Sequence, residues 1–391
     1  MKKYLLFFVV AIVLFFSHAL YTKHGVYGDG NGYYSYTQAL YFDKGLAFGP
    51  VYEHLRNFEG RNYIFSRIFW DTSVGPKGVL GNPYMIGAGV LWVPSLLFIS
   101  AVNFVFGLGV GRFDLIYELG PGISGILFIL FGLYFLEKYL GNFVSGKSAS
   151  WTIIALFFGS YVFYYTALEP ALSHQPSFFL ICFLLWFTKG IKINKANSFI
   201  LGALFGLLAI VRVVDVILLI PVIFNILGRK PKVKDLVFGI PGVLLGASPQ
   251  LIYQYYAYGT VLMNNYFICS GCFWRFDVVH FLQYLASPVR GLFVWSPLFV
   301  IGFWGLVKKR AWVVVGTMVF FWVVTSSWPA YLSAGFGQRY AFSQTPYFAL
   351  GIAYLFERRK EVEKLLYIIP FALWNGILFI VFYVLRLTRS I

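Results

Sequence analysis

Apolar runs long enough to cross a lipid bilayer recur along almost the whole chain. They lie near residues 4–21, 83–106, 115–137, 151–168, 172–188, 197–211, 213–227, 236–253, 291–307, 311–327, 340–356 and 365–385. The runs lack the strict apolar–polar alternation of strands in a membrane β-barrel, whereas helices satisfy their own backbone hydrogen bonds in lipid. The pattern therefore predicts an all-α polytopic membrane protein.

Lysine and arginine concentrate in short connectors between these runs. The connectors are 189–195, 229–234, 308–310 and 358–364, and Lys2 and Lys3 precede the first run. The positive-inside rule places such clusters in the cytoplasm. If every run crossed, the connectors and the N-terminus would fall on opposite sides, so one run before Lys189 is expected not to cross.

The run at 83–106 is the best candidate for a segment that stays on the outer face. It contains Pro83 and Pro94, and proline costs helix hydrogen bonds that lipid cannot replace. We predict about 11 transmembrane helices in a single domain over residues 1–391, in a cell (inner or plasma) membrane. The N-terminus would be cytoplasmic and the C-terminus extracytoplasmic. Residues 22–114 would form a first extracytoplasmic loop with juxtamembrane helices, and residues 254–290 a second.

Composition excludes two classes of partner. The 391-residue chain is 59% hydrophobic and 12% charged, with a net charge of +16. Its basic residues form topological clusters and no groove-sized patch, which argues against nucleic acid. The letters of G-x-x-x-x-G-K-[ST] occur at residues 141–148 and those of G-x-G-x-x-G at residues 120–125, but neither stretch opens a βαβ unit, because both adjoin apolar runs of helical length. An enzyme here is therefore expected to take its substrate from the membrane and not from a nucleotide.

The segment Tyr27-Gly28-Asp29-Gly30-Asn31-Gly32-Tyr33-Tyr34 follows the first run directly. Its glycines allow a tight turn and the close approach of a ligand, and they hold the Asp29 carboxylate at the membrane surface. A carboxylate there could deprotonate an acceptor hydroxyl or amine, and a plain Gly-Asp turn is the alternative interpretation. Tyr33 and Tyr34 are expected to line the cavity. An amphipathic helix over 34–46 is expected to lay its apolar face on lipid.

Two segments of the outer regions carry further candidates for the cavity. Lys77, in Gly75-Pro76-Lys77-Gly78, suits a lipid phosphate beside a helix start, although an ordinary interfacial lysine has the same pattern. Asn82 follows it and is assigned to the cavity. Glu169 and His174 lie in a predicted outer turn, where ionisable groups usually have a function and helix capping is the alternative.

Three arginines stand at the outer ends of apolar runs. Arg290 and Arg339 each open a run beside glycine, where a guanidinium fork at the positive end of a helix suits a phosphate. Snorkelling to the interface is the alternative interpretation. Arg212 is three residues from Asp215, and this spacing indicates a structural ion pair.

Cysteine chemistry adds little to this interpretation. Cys269 and Cys272 lie in the second outer loop, with only His280 near in sequence as a further metal ligand. Zinc would need more ligands than these, so a local disulfide is expected.

In their order along the chain these segments resemble the GT-C superfamily of membrane glycosyltransferases. Its members related to protein O-mannosyltransferases and aminoarabinose transferases use polyprenyl-phosphate-linked sugars. Gly28-Asp29-Gly30 is similar to that family's catalytic aspartate, and Asn82-Pro83-Tyr84 is similar to its Lys-Pro-Pro segment, but without a lysine directly before the proline. Glu169 to His174, Ala209 to Arg212, Ser287 to Gly291 and Gly337 to Tyr340 fall where such proteins have similar runs.

The resemblance implies an inverting transferase with a polyprenyl-phosphate-linked sugar as donor and a glycan, lipid or protein as acceptor. Asp29 would orient or deprotonate the acceptor, apart from the phosphate-binding Arg339, Arg290 and Lys77, since a carboxylate repels phosphate. No cofactor is expected, because paired carboxylates are scarce, although the oligosaccharyltransferase branch uses a divalent metal. A transporter or flippase, or a ligase or polymerase, of lipid-linked glycans is the alternative. The few ionisable residues in span centres count against a transporter.

Overall fold

The computed structural model of the protein describes residues 2–56, 78–261, 274–332 and 335–388, with side chains up to residue 385. These residues form α-helices and the 3₁₀ helices Val213–Leu219 and Arg339–Gln344, and they contain no strand. The predicted all-helical class is therefore confirmed for the described part of the chain. Lys77, Cys269 and Cys272 fall outside the described residues, as do the predictions made for them.

The described residues contain eighteen α-helices. The first half contains α1 (Lys2–Thr22), α2 (Asp29–Phe42), α3 (Gly49–Arg56), α4 (Gly87–Phe106), α5 (Leu115–Leu140), α6 (Gly146–Gly159), α7 (Val162–Ala167), α8 (His174–Gly190) and α9 (Lys195–Val211). The second half contains α10 (Ile220–Gly228), α11 (Val233–Leu236), α12 (Gly239–Tyr258), α13 (Val278–Ala286), α14 (Leu292–Trp295), α15 (Leu298–Lys308), α16 (Trp312–Ser326), α17 (Thr345–Phe356) and α18 (Glu361–Thr388).

Apolar helices dominate the molecule. Among the described residues, five helical stretches are long and apolar enough to cross a bilayer: Lys2–Thr22, Gly87–Phe106, Leu115–Leu140, Val233–Tyr258 and Glu361–Leu385. Shorter apolar helices include Lys195–Val211 and Trp312–Ser326. The protein is thus a multi-pass membrane protein.

Helices α9 and α12 show how the bundle packs. A Cβ atom added to Gly202 of α9 would come within 2.0 Å of the Gly239 carbonyl oxygen at the start of α12. Only glycine permits backbones to approach this closely. In lipid, such close packing replaces the hydrophobic effect as the force that joins helices.

The basic connectors meet at one end of the bundle, which we name the basic end (Lys3, 189–195, 229–234, 308–310 and 358–364). Contacts there join Lys3 to Glu137, Lys364 to Ser148, Arg229 to the Ile191 carbonyl, and Lys309 to the ring of Tyr354. The start of α1 therefore lies at the same end as the connectors, as the charge pattern requires.

Helix α4 contacts elements that lie away from the basic end. Gly87, its first residue, contacts the backbone of Ile210 near the end of α9. Further along, the Ser100 hydroxyl lies 2.9 Å from the Tyr117 hydroxyl in the first turn of α5. Pro94 lies inside the helix, which is continuous over 20 residues, so this proline does not interrupt the helix as the sequence argument assumed.

Helix α2 is enclosed by protein, so the prediction that it lays an apolar face on lipid is wrong. Residues 30–39 are all buried, and the helix packs against α4. At its far end Asp43 accepts a hydrogen bond of 2.8 Å from Arg112, and this ion pair lies at the protein surface. Because protein surrounds residues 30–39, α2 cannot rotate, and the direction of Asp29 at its start is fixed.

Candidate functional site

Asp29 is the first residue of α2, where free backbone N–H groups and the helix dipole favour a negative charge. Gly28 before it has a φ of 50°, which glycine adopts without strain. A Cβ atom on Gly30 would come within 2.4 Å of the Ala171 carbonyl oxygen. Gly30 therefore makes room for the protein's own chain, and not for a substrate as the sequence suggested.

Two side chains hold the Asp29 carboxylate. Arg339 Nη2 donates a hydrogen bond of 2.6 Å to Oδ2, and the Tyr84 hydroxyl donates one of 3.0 Å to Oδ1. The ring of Tyr84 lies against Gly32, where an added Cβ atom would come within 2.1 Å of it. The prediction that Asp29 lies apart from the phosphate-binding arginines is therefore wrong for Arg339, because the two charges attract and form a direct ion pair.

The other predicted phosphate ligand, Arg290, contacts the chain that leads to Arg339. Its Nη1 donates to the Leu332 carbonyl over 2.6 Å, and its Nε donates to the Gly335 carbonyl over 3.2 Å. Arg339 follows as the first residue of a 3₁₀ helix that continues into α17. The two arginines thus have different surroundings, and Arg290 supports the segment that carries Arg339.

Glu169 is a second carboxylate near this ion pair. It lies between α7 and α8, is 7% exposed, and accepts a hydrogen bond of 3.1 Å from the Tyr164 hydroxyl. Burial raises the pKa of Glu169 to about 7, against the lowering effects of the Arg339 charge and the Tyr164 hydrogen bond, while the Asp29 charge adds to the rise. Glu169 therefore senses both members of the ion pair.

Of the two tyrosines predicted to line the cavity, Tyr33 is near Asp29. Its hydroxyl accepts a hydrogen bond of 3.0 Å from Ser173, and burial together with the Asp29 charge raises its pKa to about 12. Tyr34 lies in the same buried apolar cluster as Tyr33, between α2, α4 and α5, but its hydroxyl accepts a hydrogen bond from Gln38. The Tyr34 side chain points away from Asp29, because successive residues of a helix lie on different faces.

A buried polar network joins His174 to other helices. The predicted ion pair is present, with Arg212 Nε donating to Asp215 Oδ2 over 2.8 Å. The same oxygen accepts hydrogen bonds from Ser177 and Ser343, over 2.5 and 2.6 Å. Arg212 Nη1 also lies 3.3 Å from His174 Nε2. The arginine predicted to be structural therefore contacts a predicted site residue.

Asn82 positions Tyr84. Its side-chain amide donates to the Gly32 carbonyl over 2.8 Å, and its Oδ1 accepts from the Tyr84 backbone N–H over 3.0 Å. The side chain is fully buried. Asn82, predicted to line the cavity, instead fastens the segment before α4 to α2, because a buried amide needs hydrogen-bond partners.

An apolar cavity of about 170 Å³ adjoins this region. It is lined by Phe158, Phe163, Tyr164, Phe336, Ala372, Asn375, Gly376 and Phe379. Tyr164 links the cavity to the charged groups, since its ring forms part of the wall and its hydroxyl contacts Glu169.

Metal-binding side chains are not clustered in the described part of the chain. Within the described ranges, no group of three or more His, Cys, Asp and Glu side chains could hold one. Asp29 already has a cationic partner in Arg339. A metal ion at Asp29 would have to compete with the charge of this guanidinium.

Sequence reasoning missed two residues that shape the site. Tyr84 is two residues after Asn82 in the sequence, but no spacing rule joins it to Asp29, which is 55 residues away. Tyr164 lies in an apolar run and reads as one more lipid-facing aromatic residue. The hydrogen bonds of their hydroxyl groups to Asp29 and Glu169 place these two tyrosines at the site.

Comparisons with protein-family models, curated proteins and solved structures give no match to this chain. The functional argument therefore depends on the site, because a helical membrane fold alone is compatible with many activities.

Proposed function

We propose that the protein is an inverting membrane glycosyltransferase that takes its sugar from a polyprenyl-phosphate carrier. The observation that carries the proposal is the Asp29–Arg339 ion pair, away from the basic end, with Glu169 coupled to both residues. Ionisable groups at membrane depth are costly, and they usually mark a site of function. A carboxylate beside a guanidinium provides both a base and a phosphate ligand.

In this reaction Asp29 takes the proton of the acceptor hydroxyl or amine as that group attacks the anomeric carbon of the sugar. The bond between this carbon and the phosphate oxygen breaks, and the lipid phosphate leaves with the electron pair. Arg339 offsets the negative charge that grows on the leaving phosphate. The Asp29 side chain is 36% exposed, so an acceptor can reach it.

The apolar cavity beside Tyr164 suits the lipid part of such a donor. Its walls are mainly aromatic, and α18 contributes the four residues Ala372, Asn375, Gly376 and Phe379. A polyprenyl chain here would have its phosphate end toward the charged groups, because Tyr164 adjoins both. The donor would then enter from the membrane.

We further propose eleven crossings, with α4 lying along the outer face of the membrane. Gly87–Phe106 has the length of a span, but its contacts with Ile210 and Tyr117 are at helix ends away from the basic end. This arrangement leaves the N-terminus and all basic connectors on the cytoplasmic side. The site and the C-terminus then face the outside of an inner or plasma membrane.

The test is transfer by the purified protein in lipid nanodiscs, with a radiolabelled polyprenyl-phosphate sugar and a membrane extract as the source of acceptor. We expect the Asp29→Asn variant to lose roughly 10²–10⁴-fold in rate, the usual effect of removing a general base. Asp43→Asn, the same change at the other end of α2, should keep full activity. Equal activity of Asp29→Asn and the wild type would contradict the mechanism.

A further inference from the structure

Arg339 has an anionic partner within the protein itself. Its Nη2 lies 2.6 Å from Asp29 Oδ2, and its side chain is only 11% exposed. A phosphate that approaches Arg339 therefore meets a guanidinium whose charge is largely neutralised. A guanidinium has five N–H donors, and a phosphate that takes the Nη2 donor of Arg339 competes with Asp29 for it.

The same contact blocks the base. The Oδ2 oxygen of Asp29 accepts a hydrogen bond from Arg339, and Oδ1 accepts one from Tyr84. Arg339 thus covers the oxygen that would have to receive the proton, and its N–H group occupies the position that an acceptor hydroxyl would take. Asp29 can therefore act as a base only after Arg339 has moved to another anion.

The exposed fractions of the Asp29 and Arg339 side chains decide which of the two can be left without its partner. Asp29 is 36% exposed, so water can solvate its charge when the ion pair opens. Arg339 is 11% exposed, and a buried guanidinium needs an anionic partner at all times. The hydrogen bond from Tyr84 to Oδ1 would keep the released carboxylate in place.

We infer that Arg339 exchanges partners during each cycle: the phosphate of the polyprenyl-phosphate donor displaces Asp29 and thereby frees Oδ2 to take the proton of the acceptor. This inference rests on the proposed function. The donor binds first, and the base is unmasked only in its presence. An acceptor that arrives alone finds Asp29 paired and unreactive.

The exchange is tested by equilibrium binding of a sugar-free polyprenyl phosphate, with the uncharged polyprenol as a reference ligand. Asp29→Asn removes the competing charge, so it should bind polyprenyl phosphate about tenfold tighter than the wild type and polyprenol equally well. Asp43→Asn is the matched control. Asp43 directly follows α2 and pairs with Arg112 over 2.8 Å. Asp43→Asn removes this carboxylate and should bind polyprenyl phosphate like the wild type.

The outcomes separate this inference from the proposed function. If Asp29→Asn and the wild type bind polyprenyl phosphate equally and both prefer it to polyprenol, the exchange is wrong and the proposed donor class stands. If no variant prefers the phosphate to polyprenol, both ideas fail. Asp29→Ala removes the same charge and replaces Asp29→Asn if the latter is not monodisperse in detergent.

Discussion

At the scale of single residues, Arg339 and Arg290 differ in what they contact. Arg339 binds the Asp29 carboxylate, whereas Arg290 binds backbone carbonyls of Leu332 and Gly335. We expect Arg339→Ala to weaken binding of polyprenyl phosphate by about 10–100-fold, because a hydrogen bond to a charged group contributes roughly 1.5–3 kcal/mol. Arg290→Ala should mainly lower the Tm.

Binding titrations and thermal unfolding of the two variants separate these effects. Each variant is compared with the wild type in the same detergent. An Arg339→Ala variant with unchanged affinity for the phosphate would show that the donor binds elsewhere.

Glu169 should make stability depend on pH. Its pKa is raised to about 7 by burial, so in the folded state it stays protonated at pH values where the unfolded chain has lost that proton. The folded state binds more protons in this window, and stability therefore falls as pH rises from the unfolded pKa toward 7. Glu169→Gln resembles the neutral acid and should remove this dependence.

Thermal unfolding from about pH 5 to about pH 8 measures the effect. Over this range the free energy of unfolding of the wild type should fall relative to that of Glu169→Gln. The difference is of order 3 kcal/mol when the pKa shift is converted at 1.36 kcal/mol per pKa unit. Parallel curves for the two proteins would mean that Glu169 titrates normally.

The sequence identifies candidate residues better than it identifies pairs. Asp29, Glu169 and Arg339 stand out because ionisable residues beside apolar runs are rare. Nothing local indicates that Asp29 meets Arg339, since 310 residues separate them and no helical or strand period spans that distance. The contact between Tyr84 and Asp29 cannot be predicted for the same reason, since 55 residues separate them.

At the scale of elements, glycine decides how closely helices pack. Gly202→Ala in α9 would place a methyl group within 2.0 Å of the Gly239 carbonyl, whereas a Cβ atom at Gly316 in α16 meets nothing within 4 Å. We expect Gly202→Ala to lose about 1–3 kcal/mol of stability through overpacking. Gly316→Ala should be neutral or stabilising, because alanine favours helices.

The two alanine variants differ only in position, and the Tm in detergent compares them directly. Similar Tm values for both would show that α9 and α12 do not approach as closely as described.

The apolar pattern predicted most helices, but it failed for the surroundings of α2. A run of tyrosine, glycine and small polar residues has an apolar face, and that face fits lipid and protein equally well. The buried hydroxyl groups settle the difference: Tyr36 donates to the Tyr84 carbonyl, and Thr37 donates to the Gly89 carbonyl. Such bonds need a protein partner, which no single-segment pattern records.

At the scale of the whole molecule, the position of α4 decides the topology. In a background in which the three native cysteines are replaced by serine, Leu108→Cys tests the end of α4 and Lys147→Cys tests the basic end. Leu108 is 47% exposed, and the Lys147 side chain is 82% exposed. With a maleimide that cannot cross membranes, we expect labelling of residue 108 from outside and of residue 147 only from inside.

Labelling of residue 108 only from inside would mean that α4 crosses the bilayer. The number of crossings would then be even, and the N-terminus and the basic connectors could no longer share the cytoplasmic side.

The long sequence separation of the Asp29–Arg339 pair also has a consequence for biosynthesis. Asp29 leaves the ribosome 310 residues before its partner, which is about 15–60 s at a synthesis rate of roughly 5–20 residues per second. During this interval the carboxylate stands at the membrane surface without the guanidinium that later masks it. We expect Asp29 to stay in contact with water until the segment with Arg339 arrives, because an unpaired carboxylate is costly in lipid.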